Sequence, residues 1–133
     1  MYKKILAEDC GTAPIKIDLH IHTPGSYDYK KTYNTDEKEY IEILKVAQAN
    51  EIRVIAVTDH NTFKGYKCLK TIYEQHKEFS GILLLCGIEI TCFTKHILAY
   101  FPPTFSSKEQ REFLETIGLP TDDEVPKNSA SAD

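Results

Sequence analysis

Between residues 15 and 22 the chain alternates: Ile15, Ile17, Leu19 and Ile21 are apolar, while Lys16, Asp18, His20 and His22 are polar. Side chains of a strand point to opposite faces in turn, so this pattern predicts a β-strand over Ile15–Ile21 with His20 and His22 on one face. The next segment, Thr23-Pro24-Gly25-Ser26-Tyr27-Asp28, is rich in turn formers. The period then lengthens to that of a helix. Asn34 or Thr35 can cap it, Asp36 and Glu37 sit in its positive first turn, and Tyr40, Ile43, Leu44 and Ala47 form its apolar stripe. Glu39, Glu42 and Lys45 are expected to face largely away from that stripe.

Ile52–Val57 is almost continuously apolar, as a parallel strand covered on both faces should be. A second helix is expected over Lys64–Phe79, with Leu69, Ile72 and Tyr73 inward and Gly65 near its start, where a glycine costs little. Ile82–Cys86 predicts a third strand, continued by Gly87–Thr91, and His96–Phe101 a fourth. Ser106 or Ser107 can cap a last helix that stops at Gly118-Leu119-Pro120. Strand and helix in alternation argue for an α/β domain with parallel strands and right-handed crossovers. Residues 1–14 form a polar lead-in, 15–119 the domain, and 120–133 a tail or linker without apolar periodicity.

Composition narrows the picture. A chain of 133 residues with 41% hydrophobic and 27% charged residues fits one soluble domain. Its net charge of −4 provides no global basic field for nucleic acid, although a metal site can hold a phosphate locally. No apolar run approaches a membrane span and the start lacks the core of a secretion signal, so the expected compartment is the cytoplasm, with no membrane partner. Cys10, Cys68, Cys86 and Cys92 form no C-x-x-C pair and are expected as buried free thiols.

The chemistry lies where the strands end. Active sites of α/β folds gather at the carboxyl ends of strands. His20 and His22 end the first strand, Asp59 and His60 follow the second, and Glu89 follows the third. His96 opens the fourth strand, which makes its position ambiguous. Imidazoles with carboxylates suit zinc, manganese or iron, and a single carboxylate such as Glu89 can bridge two ions. Neither a nucleophile elbow nor a glycine-rich phosphate loop is present. Lys30 and Lys64 are candidate phosphate contacts, and Tyr27, Tyr29 and Tyr33 with Lys30 and Lys31 form a basic–aromatic loop beside the proposed site.

Four segments together resemble the PHP (polymerase and histidinol phosphatase) family: Asp18-Leu19-His20-Ile21-His22-Thr23, Val57-Thr58-Asp59-His60-Asn61-Thr62, Gly87-Ile88-Glu89-Ile90-Thr91 and His96-Ile97-Leu98-Ala99-Tyr100. The resemblance covers about residues 15–101. It implies a partial, distorted (β/α) barrel with mainly parallel strands, up to three divalent ions and hydrolysis of a phosphate ester by metal-activated water. Carried over by position, His20 and His22 bind a first metal, Glu89 bridges first and second, and His96 binds the second. His60 and Asp28 serve the third. Asp59, grouped with Glu89 as a catalytic carboxylate, is cast as orienting an imidazole.

The family's later landmarks, a further histidine and a D-x-H pair, are missing, and no histidine follows His96. The chain therefore corresponds to an N-terminal portion, with a C-terminal domain or a second copy expected to complete the site around a phosphoester substrate, small molecule or nucleic acid. Two other readings stand beside this one. A non-catalytic metal-binding or regulatory module fits the incomplete ligand set. An amidohydrolase-like enzyme also carries H-x-H on its first strand, but that group often bridges its metals through a modified lysine of a middle strand, and here no strand lysine is suitably placed and Glu89 stands in the bridging role.

Overall fold

A computed structural model describes residues 14–122. In order, it contains β1 (Lys16–Ile21), α1 (Asp36–Ala49), β2 (Ile52–Val57), α2 (Lys64–Gln75), a 3-10 turn (Lys77–Phe79), β3 (Leu83–Cys92), β4 (Lys95–Phe101) and α3 (Ser107–Thr116). The expected lead-in to residue 13, the tail from residue 123 and Cys10 lie outside the described residues.

The strands form one sheet in the order β1-β2-β3-β4. β1–β2 and β2–β3 are parallel, as the apolar run of β2 predicts, and the intervening helices cover one face. β4 runs antiparallel to β3, paired from Cys92↔Lys95 to Cys86↔Phe101. The reason is the short connection at Phe93-Thr94: a hairpin can only reverse the chain, whereas a parallel partner needs a long crossover. The sheet curls into a half-barrel, tightly enough for the Tyr100 hydroxyl of β4 to donate to the Leu19 carbonyl of β1 at 2.7 Å.

The core lies between the sheet and its helices. Tyr40, Leu44 and Ala47 of α1 are buried as their spacing predicts, against Ile55 and Val57 of β2, Leu69 of α2, Cys86 and Ile88 of β3 and Leu114 of α3. Glu39, expected outside, is also buried. The helix predicted over Lys64–Phe79 ends at Gln75, because His76 leaves helical geometry (φ −114°, ψ 87°) and the 3-10 turn carries Phe79 into the core. The two pieces expected for the third strand form one continuous β3. Of the thiols, Cys86 is buried as expected, whereas Cys68 and Cys92 are exposed.

α3 carries the expected cap. The Ser106 hydroxyl accepts from the Glu109 N–H, Glu109 reaches back, and Gly118 adopts φ 77° at the other end. Beyond it the chain stays packed through residue 122. Thr121 is buried, and Asp122 accepts from the Thr62 hydroxyl (2.7 Å) and the Phe63 N–H (3.2 Å), which caps the start of α2 where Phe63 offers no side-chain acceptor. No helix among the described residues is long and apolar enough to cross a membrane.

Two glycines make opposite predictions. A Cβ on Gly87 would lie 2.8 Å from the Val57 carbonyl and 3.1 Å from that of Ala99, so a side chain there would press on the backbone of both neighbouring strands. A Cβ on Gly81 meets nothing within 4 Å. Gly87→Ala is expected to cost about 1–3 kcal/mol in urea denaturation, and Gly81→Ala to be neutral or to stabilise by about 0.4–1 kcal/mol.

Candidate metal centre

The first two imidazoles sit at the end of β1. Its register with β2 slips twice in opposite senses, between Lys16 and Ile17 and between Asp18 and Ile21, so that Lys16 still pairs with Ile52 and Ile21 with Val57. The Asp18 carboxylate accepts the His20 N–H at 3.1 Å and so satisfies a donor within the irregular stretch. His20 and His22 share a face as alternation predicts, their rings 5.1 Å apart and both against Glu89, and Asp18 also borders a cleft with Ile21, Glu42, Ile43 and Val46.

The end of β2 is fastened to the middle of β3. The Glu89 N–H donates to the Asp59 carbonyl and the Asn61 N–H to the Glu89 carbonyl, both at 3.0 Å. Asn61 takes φ 56°, which its short amide tolerates, and its side-chain oxygen accepts the Thr91 N–H at 2.9 Å. His60 is thereby fixed beside Glu89. His96 enters from β4, where it pairs with Thr91. Because β4 is antiparallel, its start lies at the end of the sheet where the parallel strands finish, and this removes the ambiguity of His96.

Four imidazoles meet one carboxylate. Glu89 Oε2 lies 2.9 Å from His20 Nε2, 2.7 Å from His22 Nε2 and 3.7 Å from His60 Nε2, and Oε1 lies 3.0 Å from His96 Nδ1. Asp28 Oδ2 lies 3.2 Å from both His22 Nδ1 and His60 Nε2, and its other oxygen accepts from the Ser26 hydroxyl. The side chains of Glu89 and His60 are 7% and 6% exposed and form the floor; those of His20 and His96, at 50% and 48%, form an open rim. Burial opposes the charge of Glu89, but hydrogen bonds from His20 and His22 and the neighbouring imidazoles outweigh it and hold the carboxyl below its ordinary value. Asp28 is lowered by the Ser26 hydroxyl first, against burial and with help from His22 and His60.

Ligand atoms within 4.8 Å of one another define three groups: His20–His22–Glu89, His22–Asp28–His60 and His60–Glu89–His96. Nitrogen and carboxylate oxygen donors, convergent and partly buried, fit a divalent metal ion. All six residues expected as ligands are brought together. Lys30 and Lys64 are exposed and belong to none of the groups. His76 is elsewhere, 3.1 Å from Glu78.

Asp59 departs from its expected role. Its two oxygens accept the Thr23 N–H and the Thr23 hydroxyl, each at 2.6 Å, so it fixes the loop after β1 and orients no imidazole directly. Burial pushes its carboxyl up to about 6 against those two bonds. Gly65 is part of the same knot. A Cβ there would lie 1.8 Å from Asp59 Oδ2 and 1.9 Å from Thr23 Oγ1, so this glycine is a packing requirement and the expectation that it merely costs little is corrected.

Glu39 was legible only as a charge on a helix. Its carboxylate accepts the Thr32 and Tyr33 N–H groups and, at 2.9 Å, the Tyr29 hydroxyl. The loop that carries Asp28 is thus tied to α1 from the side opposite Thr23. The available signal was the run of polar backbone at residues 29–34, which needs acceptors wherever it packs.

No family model matches the chain, so the PHP resemblance rests on its motifs. An uncharacterised protein of Methanocaldococcus jannaschii is 37% identical over 113 aligned positions, covering 78% of this chain and 63% of that protein. An uncharacterised protein of Streptococcus pneumoniae is 28% identical over 137 aligned positions, covering 62% of this chain and 51% of its own. The chain spans roughly half to two thirds of the length of these curated relatives. A crystal structure of a candidate metal-dependent phosphoesterase from Bifidobacterium adolescentis aligns with 73% of this chain and 32% of its own at 24% identity and a TM-score of 0.49. That similarity is too low to establish a shared fold.

Removing the Glu39 carboxylate should free the loop. Glu39→Ala is expected to speed tryptic cleavage after Lys30 and Lys31 on the order of tenfold, as local opening becomes easier. Glu42→Ala, on the same helix without those bonds, should leave the rate unchanged. Equal rates in both variants would deny Glu39 this role.

Proposed function

We propose that this chain carries the metal centre of a phosphoesterase of PHP type. The observation that carries the reading is the convergence of four imidazoles and two carboxylates in three overlapping ligand groups, two of which include Glu89, a carboxylate able to bridge two ions. His20, His22 and Glu89 would hold one ion, Glu89 and His96 a second, and His60 and Asp28 a third, with zinc, manganese or iron as the fitting metals. Such ions supply Lewis-acid stabilisation of a phosphoryl oxygen and a water acidic enough to attack near neutral pH.

The residues of the chain prepare that chemistry. Glu89 provides the central negative charge and, bridging two groups, sets their separation. The Thr91 hydroxyl, 3.3 Å from His60 Nδ1, leaves Nε2 to face Asp28 and Glu89. His22 presents one nitrogen to each carboxylate. The half-exposed rim admits a phosphate ester, whether of a small molecule or of a nucleic acid. A C-terminal domain or second copy would close the site, and the cytoplasm is the fitting compartment. A non-catalytic metal-binding module is the second reading.

Hydrolysis of p-nitrophenyl phosphate and its diester by manganese-loaded chain tests the proposal. Chelation should abolish turnover, His22→Ala should reduce it on the order of a hundredfold or more, and His76→Ala should leave it unchanged. Turnover that survives His22→Ala, or hydrolysis of lactones and amides without phosphoesters, contradicts it. Saturation with metal and no turnover at all gives the non-catalytic reading.

A further inference from the structure

Among the described residues, Tyr27 sets an aromatic ring against the cluster and leaves it largely open to solvent. Its ring centroid lies 4.9 Å from that of His60 with the planes 38° apart, and the residue is 79% exposed. One face thus rests on a metal-ligand candidate while the other is free. Among the described residues its hydroxyl has no hydrogen-bond partner. The backbone beneath it is fixed from both sides. The Ser26 N–H donates to the Thr23 carbonyl at 2.8 Å, the Tyr29 N–H to the Ser26 carbonyl at 3.2 Å, and the His60 N–H to the Ser26 hydroxyl at 3.3 Å. Further along, Glu39 holds Tyr29, Thr32 and Tyr33, and Lys31 pairs with Asp36 at 2.6 Å. The chain therefore spends a rigid loop to hold a ring whose own contacts are few.

We infer that Tyr27 is a specificity-determining residue, a platform on which a planar ring of the substrate stacks while its phosphate occupies the metal cluster. This rests on the phosphoesterase reading. The substrate class it selects is a nucleotide or nucleotide end, because a heterocyclic base offers the flat face that a sugar phosphate lacks. Stacking on an exposed aromatic is tolerant of base identity. The cluster sets the chemistry, and Tyr27 sets which phosphate esters reach it. The hydroxyl is incidental to this role, so phenylalanine serves equally well.

The test is equilibrium binding by calorimetry to manganese-loaded chain, with the hydrolysis-resistant phosphonate analogues of adenosine monophosphate and of ribose 5-phosphate as probes. The adenosine probe is expected to bind about tenfold more tightly. That ratio should collapse to near one in Tyr27→Ala and persist in Tyr27→Phe. Equal affinity for the two probes in the unaltered chain, or a preference that survives Tyr27→Ala, overturns the role of Tyr27 and leaves the phosphoesterase reading standing. Failure of both probes to bind the metal-loaded chain overturns that reading and this one with it.

Discussion

The Glu89 carboxylate is the point on which the concave face depends. Placing a carboxylate where its side chain is 7% exposed is costly unless charge and hydrogen bonds compensate. Here the compensation comes from imidazoles on three different segments, His20 and His22 at the end of β1, His60 at the end of β2 and His96 on β4. Each segment is held by backbone bonds that do not involve the imidazoles: the Asp18 contact to the His20 N–H, the Asn61–Glu89 and Thr91–Asn61 pairs, and the β3–β4 ladder. The scaffold thus positions each donor through contacts of its own. This matters for a site whose ligands are few and shared.

Around that centre lies a second set of polar groups whose work is to hold loops. Asp59, Thr23 and Gly65 lock the segment after His22 against the start of α2, and Glu39 locks the far end of the same loop against α1. Asp28 and Tyr27 sit between these two anchors. A loop pinned at both ends can keep one carboxylate and one aromatic ring in place at the mouth of an otherwise open cleft.

Much of this was legible in the residues. The apolar stripe of α1, the continuous run of β2, the Ser106 cap and the Gly118 stop all agree with the structure, because each is a local rule applied where tertiary context does not oppose it. All six expected metal ligands converge. What failed did so for identifiable reasons. Helical spacing put Glu39 outside, but a loop with unpaired N–H groups drew it in. Asp59 was read through its neighbour His60, whereas its carboxylate belongs to Thr23. The six residues that the PHP resemblance casts as ligands lie within reach of one another, whereas motif spacing does not encode the contacts behind them, such as Asp59 with Thr23.

The metal-to-protein ratio tests the central claim most directly: chain saturated with manganese or zinc, freed of loose ions by gel filtration and measured by elemental analysis, beside Glu89→Gln. If Glu89 joins two ion sites, the unaltered chain retains two or more ions and Glu89→Gln retains at most one. An unaltered chain holding less than one ion, or the same number in both proteins, would contradict the account.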